Sequence, residues 1–177
     1  MKKFIKVYKN ILNPRLVDKV EEILLNKKVP YNYLQNIADN NSNLYRPGFV
    51  HLFQSKSEYI ETDYSSFLSQ ILYNFCQIKQ INILSIINSR TFLHIPTTTS
   101  GPDNIHVDLE FPHWVCLYYV NDSDGDTILF DDNNKEIKRV TPEKGKIVFF
   151  DGSIYHSGTP SGTKSRAVVN FDFIPYL

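Results

Sequence analysis

Lys146-Ile147-Val148-Phe149-Phe150-Asp151 runs into Gly152-Ser153-Ile154-Tyr155-His156-Ser157-Gly158, and this stretch decides how the chain folds. An unbroken apolar run bounded by Gly145 and Gly152 reads as a buried strand. A second short run, Ile154–Gly158, follows it at once. Outward from here the same grammar repeats. Short β-rich runs are expected at Asn88–Ile95, Ile105–Phe111, Trp114–Asn121, Asp126–Asp131, Glu136–Thr141, Lys146–Asp151, Ile154–Gly158 and Arg166–Phe173. The breaks between them carry turn residues: Asp122-Ser123-Asp124-Gly125, Asp131-Asp132-Asn133-Asn134, Pro142-Glu143-Lys144-Gly145 and Pro160-Ser161-Gly162.

Before about Ile83 the pattern differs. Phe4–Tyr8 and Phe49–Gln54 read as strands. Asn13-Pro14 is a helix start, and Leu16, Val17, Val20, Ile23 and Leu24 keep helical spacing up to about Asn26. Asp63 can cap a second helix with Phe67, Leu68, Ile71, Leu72 and Phe75 on its apolar stripe. Pro30–Pro47 is polar and reads as a long loop. Eight short strands after two helices predict a mainly β chain with flanking helices. The expected architecture is a double-stranded β-helix: a jelly-roll, cupin-like barrel with the N-terminal helices packed on its outside. We expect one domain over residues 1–177, in which 1–82 support the barrel and 83–177 form it.

The 177 residues suffice for one cored domain, and 19 basic residues balance 19 acidic ones. That balance offers no bulk field for nucleic acid or an anionic membrane. Cys76 and Cys116 read as buried, reduced thiols. No apolar stretch resembles a signal peptide or a membrane span, so a soluble, cytoplasmic protein is expected.

His106 and Asp108 stand two apart, and a strand would point both to one face. His156, arriving from the other end of the barrel wall, would complete two imidazoles and one carboxylate. That donor set with open positions suits Fe(II), and also accepts Mn, Co, Ni or Zn. Arg166 follows His156 by ten positions, on the next strand. Read blandly it is a rim salt bridge; read chemically, its planar fork suits a carboxylate in a partly closed cavity.

The stretch from Arg90 to Phe173 resembles the 2-oxoglutarate/Fe(II)-dependent dioxygenases, in particular the prolyl-4-hydroxylase-like group of the phage and marine-bacterial type. The pieces that carry the likeness are His106-Val107-Asp108, Cys116 to Asn121, Asp124-Gly125-Asp126-Thr127, Gly145 to Asp151, His156-Ser157-Gly158 and Arg166 to Phe171. The resemblance implies that His106, Asp108 and His156 hold iron and form the catalytic centre. It implies that Arg166 and Tyr119 take the distal carboxylate of 2-oxoglutarate, with Thr127 and Asn170 lining that pocket. Of Tyr118 and Tyr119 only one can face inward. His94 stands near the place of a cosubstrate tyrosine, while Ile95 occupies that place, so His94 either substitutes for it or is an ordinary satisfied histidine. His51 and His113 are read as bystanders.

The same resemblance implies a hydroxylase that consumes O2 and 2-oxoglutarate and releases succinate and CO2, with ascorbate as a supporting reductant. An aspartate at 108 argues against halogenation. A protein or peptide substrate, prolyl first, is expected. The alternatives are a free amino acid, another small molecule or a nucleobase, and then a non-catalytic cupin-like metal-binding protein. Tyr31, Tyr33, Tyr45, Trp114 and Phe130 are candidates for an aromatic rim. Oligomeric state has no signature in the sequence.

Overall fold

A computed structural model of the chain describes residues 3–26, 29–37, 45–55, 64–99 and 101–176. Its elements, in order, are β1 (Ile5–Tyr8), α1 (Pro14–Asn26), β2 (Asn32–Leu34), β3 (Gly48–Gln54), α2 (Ser65–Lys79), β4 (Asn82–His94), β5 (Trp114–Tyr119), β6 (Thr127–Phe130), β7 (Glu136–Val140), β8 (Ile147–Asp151), β9 (His156–Gly158) and β10 (Arg166–Tyr176). A seven-stranded sheet runs β1-β8-β5-β10-β4-β3-β2, and a three-stranded sheet runs β7-β6-β9. Every pairing within them is antiparallel. Two facing antiparallel sheets with two helices outside make a jelly roll, the architecture expected from the strand-and-turn series.

Local chemistry explains the helix ends. The Asn13 carboxamide oxygen accepts the Arg15 N–H at 2.9 Å, and its main-chain carbonyl accepts that of Val17 at 3.1 Å. α2 closes on Gln80, which turns left-handed at φ 55° and donates its N–H to the last carbonyls. The expected cap Asp63 lies outside the described residues.

Strand alternation then sorts side chains into two cores. On the outer face of the large sheet, Cys116, Tyr118, Phe149, Val169, Phe171 and Phe173 pack with Val20 and Leu24 of α1 and Leu68, Leu72 and Phe75 of α2. On its inner face Val115, Leu117, Tyr119, Val148, Phe150 and Val168 meet Leu129 and Val140 of the small sheet. The parity of β10 therefore sends Arg166, Val168 and Asn170 toward the space between the sheets.

Three expectations need correction. Ile105–Phe111 is no strand: His106 alone makes a bridge, to His156, with N–H···O distances of 3.0 and 2.9 Å. Past that bridge the segment joins no ladder. The stretch expected as a loop from Pro30 contains β2, paired with β3, and an Asn36–Arg46 bridge; residues 38–44 lie outside the described ones. β4 begins at Asn82 rather than Asn88, and β10 continues to Tyr176, because each supplies the other's hydrogen bonds over that length. No helix among the described residues is long and apolar enough to cross a membrane.

Candidate metal centre and its cavity

The bridge between His106 and His156 extends the small sheet by one residue and sets the two imidazoles side by side, ring centroids 4.6 Å apart. Asp108, two residues on, turns its Oδ2 to within 3.5 Å of His156 Nε2. One donor atom from each of the three lies within 4.8 Å of the others. Among the described residues no other cluster of His, Cys, Asp or Glu does this.

The hydrogen bonds settle which nitrogens face inward. His106 donates Nδ1–H to the Asn104 carbonyl at 2.9 Å, and His156 donates its own to Ile154 at 3.3 Å. Each Nε2 is left with its lone pair toward the cluster, the tautomer a metal ligand needs. Burial lowers His156 to about 4 despite the pull of Asp108, so the ring is neutral at neutral pH. Burial pushes Asp108 up, but His156, Arg90 and His106 outweigh it and bring the carboxyl down to about 2. Asp108 is therefore ionised at pH 7 and paired with the Arg90 guanidinium. An imidazole lone pair and a carboxylate oxygen thus face each other at 3.5 Å with no proton to share. Donors about 2 Å from one ion and at right angles stand about 3 Å apart, so a divalent cation relieves this arrangement. The residues fit the metal.

The cluster opens into a cavity of about 300 Å³ whose far wall holds Arg166, His94 and Thr127. Arg166 is buried; Nη2 donates to Thr127 Oγ1 at 2.7 Å and Nη1 to His94 Nε2 at 3.2 Å. Its Nε–H is buried without a hydrogen-bond partner, and the side chain lines the cavity, where its charge suits an anionic ligand. Burial, and then Arg166 and Arg46, hold His94 well below the ordinary imidazole range, so His94 accepts from Arg166 as a neutral ring. Tyr119 is buried on the inner face with Arg166 5.9 Å over its ring, while Tyr118 goes to the helix side. Burial raises the Tyr119 phenol, and its O–H reaches the Val140 carbonyl at 3.5 Å. Tyr119 therefore stands behind Arg166 rather than in the cavity wall. A basic, planar side chain lining the cavity fits a carboxylate of a 2-oxo diacid.

Asn170 lines the same cavity. Its Nδ2 donates to Asp108 Oδ2 and to Asp172 Oδ1, both at 3.2 Å, so it serves the metal side. Two residues with no expected role join it there. Arg90 pairs with Asp108 Oδ1 and lies 3.5 Å from Asp172 Oδ2. Asp172 is fully buried, and burial and Asp108 push its carboxyl up to about 7. A lone acid in Phe171-Asp172-Phe173, in phase with Arg166 and Asn170, was the available signal. A buried Arg46–Asp103 pair, 2.8 Å, closes the cavity near Gly158.

His51 stacks on Phe53, and His113 packs on Gly152; neither lines the metal cavity. Trp114 packs among Phe4, Phe149 and Phe173, and Phe130 sits by Phe4 and Ile5; neither lines the metal cavity. Tyr33 and Tyr45 are exposed, and Tyr31 packs edge-on to Phe49. A second groove, about 650 Å³, shares Val107 with the metal cavity and is walled by Phe111, Trp114, Tyr155 and Pro175, with Glu110 and Asp151 at its edges.

No protein-family model matches the chain, and no curated protein matches it in sequence. Solved structures do match. A 2OG-Fe(II) oxygenase family oxidoreductase from Burkholderia pseudomallei superposes with TM-score 0.72 at 8% identity, over 96% of this chain and 84% of that one. A prolyl hydroxylase from Trichoplax adhaerens, in complex with a hypoxia inducible factor peptide fragment, gives 0.65 at 14%, over 96% and 83%. A non-haem α-ketoglutarate-dependent epimerase from nogalamycin biosynthesis gives 0.65 at 12%, over 97% and 78%. At these identities the likeness is one of fold. The chain has the jelly-roll fold of the 2-oxoglutarate/Fe(II) oxygenases, with a His-Asp-His cluster between its sheets.

Proposed function

We propose that the protein is an Fe(II)- and 2-oxoglutarate-dependent dioxygenase that hydroxylates an unactivated C–H bond. The observation that carries this is a single cavity lined both by the three-donor cluster and by the cationic side chain of Arg166. His106, Asp108 and His156 would hold iron through two imidazole nitrogens and one carboxylate oxygen. Bound there, iron with 2-oxoglutarate supplies O2 activation coupled to release of succinate and CO2. Arg166 holds the distal carboxylate of the diacid, and Thr127 and neutral His94 fix the angle of its fork. Tyr119 supports the guanidinium from behind. Leu117, Phe150 and Val168 keep the interior between them dry.

A peptidyl, first of all prolyl, substrate is the reading we favour. Two things support it: a structural neighbour of this fold was captured with a peptide, and the aromatic groove beside Val107 adjoins the metal cavity. The epimerase neighbour keeps a small-molecule substrate as the second reading, since one fold hosts both.

The test is succinate formation from 2-oxoglutarate with Fe(II) and ascorbate, followed by mass spectrometry of proline-containing host peptides. Succinate and a gain of one oxygen atom on proline are expected from the wild type, and neither from Asp108→Ala. Turnover that survives Asp108→Ala sinks the enzyme reading. Succinate without modified peptides sinks the prolyl reading alone.

A further inference from the structure

Asp108 is held in an unusual way. His106 is anchored by two backbone hydrogen bonds to β9, but Asp108 lies past that bridge, in a bend outside either sheet. Backbone pairing therefore leaves the direction of its carboxylate open. Side chains from the large sheet close it. Arg90 on β4 and Asn170 on β10 are direct cross-strand partners, so their side chains rise together from one place on the inner face. Arg90 Nη2 takes Asp108 Oδ1, and Asn170 Nδ2 takes Oδ2 at 3.2 Å, on the edge that also faces His156.

Both holding groups are themselves fixed by one buried acid. Asp172 Oδ1 accepts the same Asn170 amide at 3.2 Å, and Asp172 Oδ2 lies 3.5 Å from Arg90 Nη2 and accepts Asn88 Nδ2 at 3.1 Å. Burying a second carboxylate beside a first is costly, and an apolar pair would pack a β-sheet interior more cheaply. A purely structural account leaves that cost without a return. An account through orientation supplies one, because groups that aim a ligand govern metal affinity nearly as much as the ligand does.

We propose that Arg90, locked by Asp172, is a positioning residue that occupies Asp108 Oδ1 and presents Oδ2 alone to the metal. The inference rests on the metal site proposed above and adds a part that the ligand motif does not contain. Neither Arg90 nor Asp172 need touch the ion. Without the guanidinium only the Asn170 amide holds Asp108, and the carboxylate gains room to swing Oδ1 toward the ion or to turn away from it.

Metal titration separates the possibilities without any need for turnover. The full chain, freed of metal, is titrated with Mn(II) by calorimetry and with Co(II) by its visible absorption. Arg90→Met is expected to weaken Mn(II) binding about tenfold to a hundredfold, the range for lost outer partners. It should also change the Co(II) band shape, a readout of coordination that simple destabilisation does not move. Arg90→Lys keeps the charge and should recover part of the affinity.

Because Arg90→Met strands two buried carboxylates and risks misfolding, Arg90→Met/Asp172→Asn is the second arm. It removes the guanidinium together with the acid that fixes it and leaves Asp108 held by Asn170 alone. A folded double variant that binds Mn(II) as the wild type does overturns the proposal. An unaltered Co(II) band in Arg90→Met overturns it equally. If the wild type itself binds neither ion, the metal site and the function built on it fall as well, which is a distinct result.

Discussion

Arg166 concentrates more chemistry than any other single side chain outside the three-donor cluster. Its two Nη groups are committed to Thr127 and His94, and only the fixed fork of a guanidinium spans both while leaving Nε–H over. Lysine at this place keeps the charge and loses the planar set of donors. Hydrogen bonds to charged groups contribute about 1.5–3 kcal/mol, so Arg166→Lys should raise the KM for 2-oxoglutarate by about tenfold to a hundredfold. Steady-state kinetics with varied 2-oxoglutarate measure it, and Mn(II) affinity should stay as in the wild type. Equal loss of metal and cosubstrate binding would instead mean that the substitution collapses the cavity.

At the scale of elements, the segments that deliver the site are tied by small polar devices rather than by long strands. The Asp124 carboxylate accepts N–H groups from Gly162, Thr163 and Lys164 and the Thr163 hydroxyl, pinning the turn that leads into β10. A methyl group on Gly125 would stand 2.8 Å from the Thr159 carbonyl oxygen and 3.2 Å from Arg166 Cδ. Gly125→Ala should therefore displace Arg166 and weaken 2-oxoglutarate binding, while Asp124→Ala loosens the same turn; amide hydrogen exchange in 159–166 should speed up in Asp124→Ala. Unchanged exchange there would remove the turn from the delivery of Arg166. These devices explain what could be read beforehand. Turn residues and apolar runs are local, so the strand series and the inward parity of Arg166 and Tyr119 were legible. Arg90 and Asn170 meet only through the β4–β10 register, and Asp108 reaches them only through the His106–His156 bridge, long-range pairings that no local pattern encodes. The Ile105–Phe111 segment misled because its alternation looks like a strand, whereas past one bridge it joins no ladder. Asn170 lines the same cavity as Thr127, and its amide holds the two aspartates, a contact that no local pattern announces.

For the whole molecule, the large sheet separates two cores, and the site belongs to one of them. Acid shows the cost of the inner one. His94 and His156 are held neutral by burial, with His156 at about 4, whereas an unfolded histidine titrates near 6.5. As pH falls below about 6.5 the unfolded chain gains protons that these two rings refuse, so each ring lowers stability by about 1.4 kcal/mol per pH unit. Asp172, at about 7, takes up a proton in the folded state that its unfolded carboxyl does not, and offsets about one of the two rings. Above about 6.5 both states are neutral at these rings and their contribution is flat. Urea midpoints of the metal-free protein should therefore fall between pH 6.5 and 5, and less steeply in His94→Gln. The outer core answers to a different substitution. Leu72 is fully buried between α2 and the sheet, on the side away from the cavity. Leu72→Ala should cost about 2–5 kcal/mol of unfolding free energy, as cavity-forming substitutions do. Yet Arg166, Asn170 and Val168 hang from the opposite face of β10, and their positions are set by strand pairing that Leu72 does not touch. Denaturation and Mn(II) titration of the same variant should then part company, with a large loss in the first and a near-normal value in the second. Parallel losses in both would mean that the helices shape the cavity through the sheet rather than only covering its back.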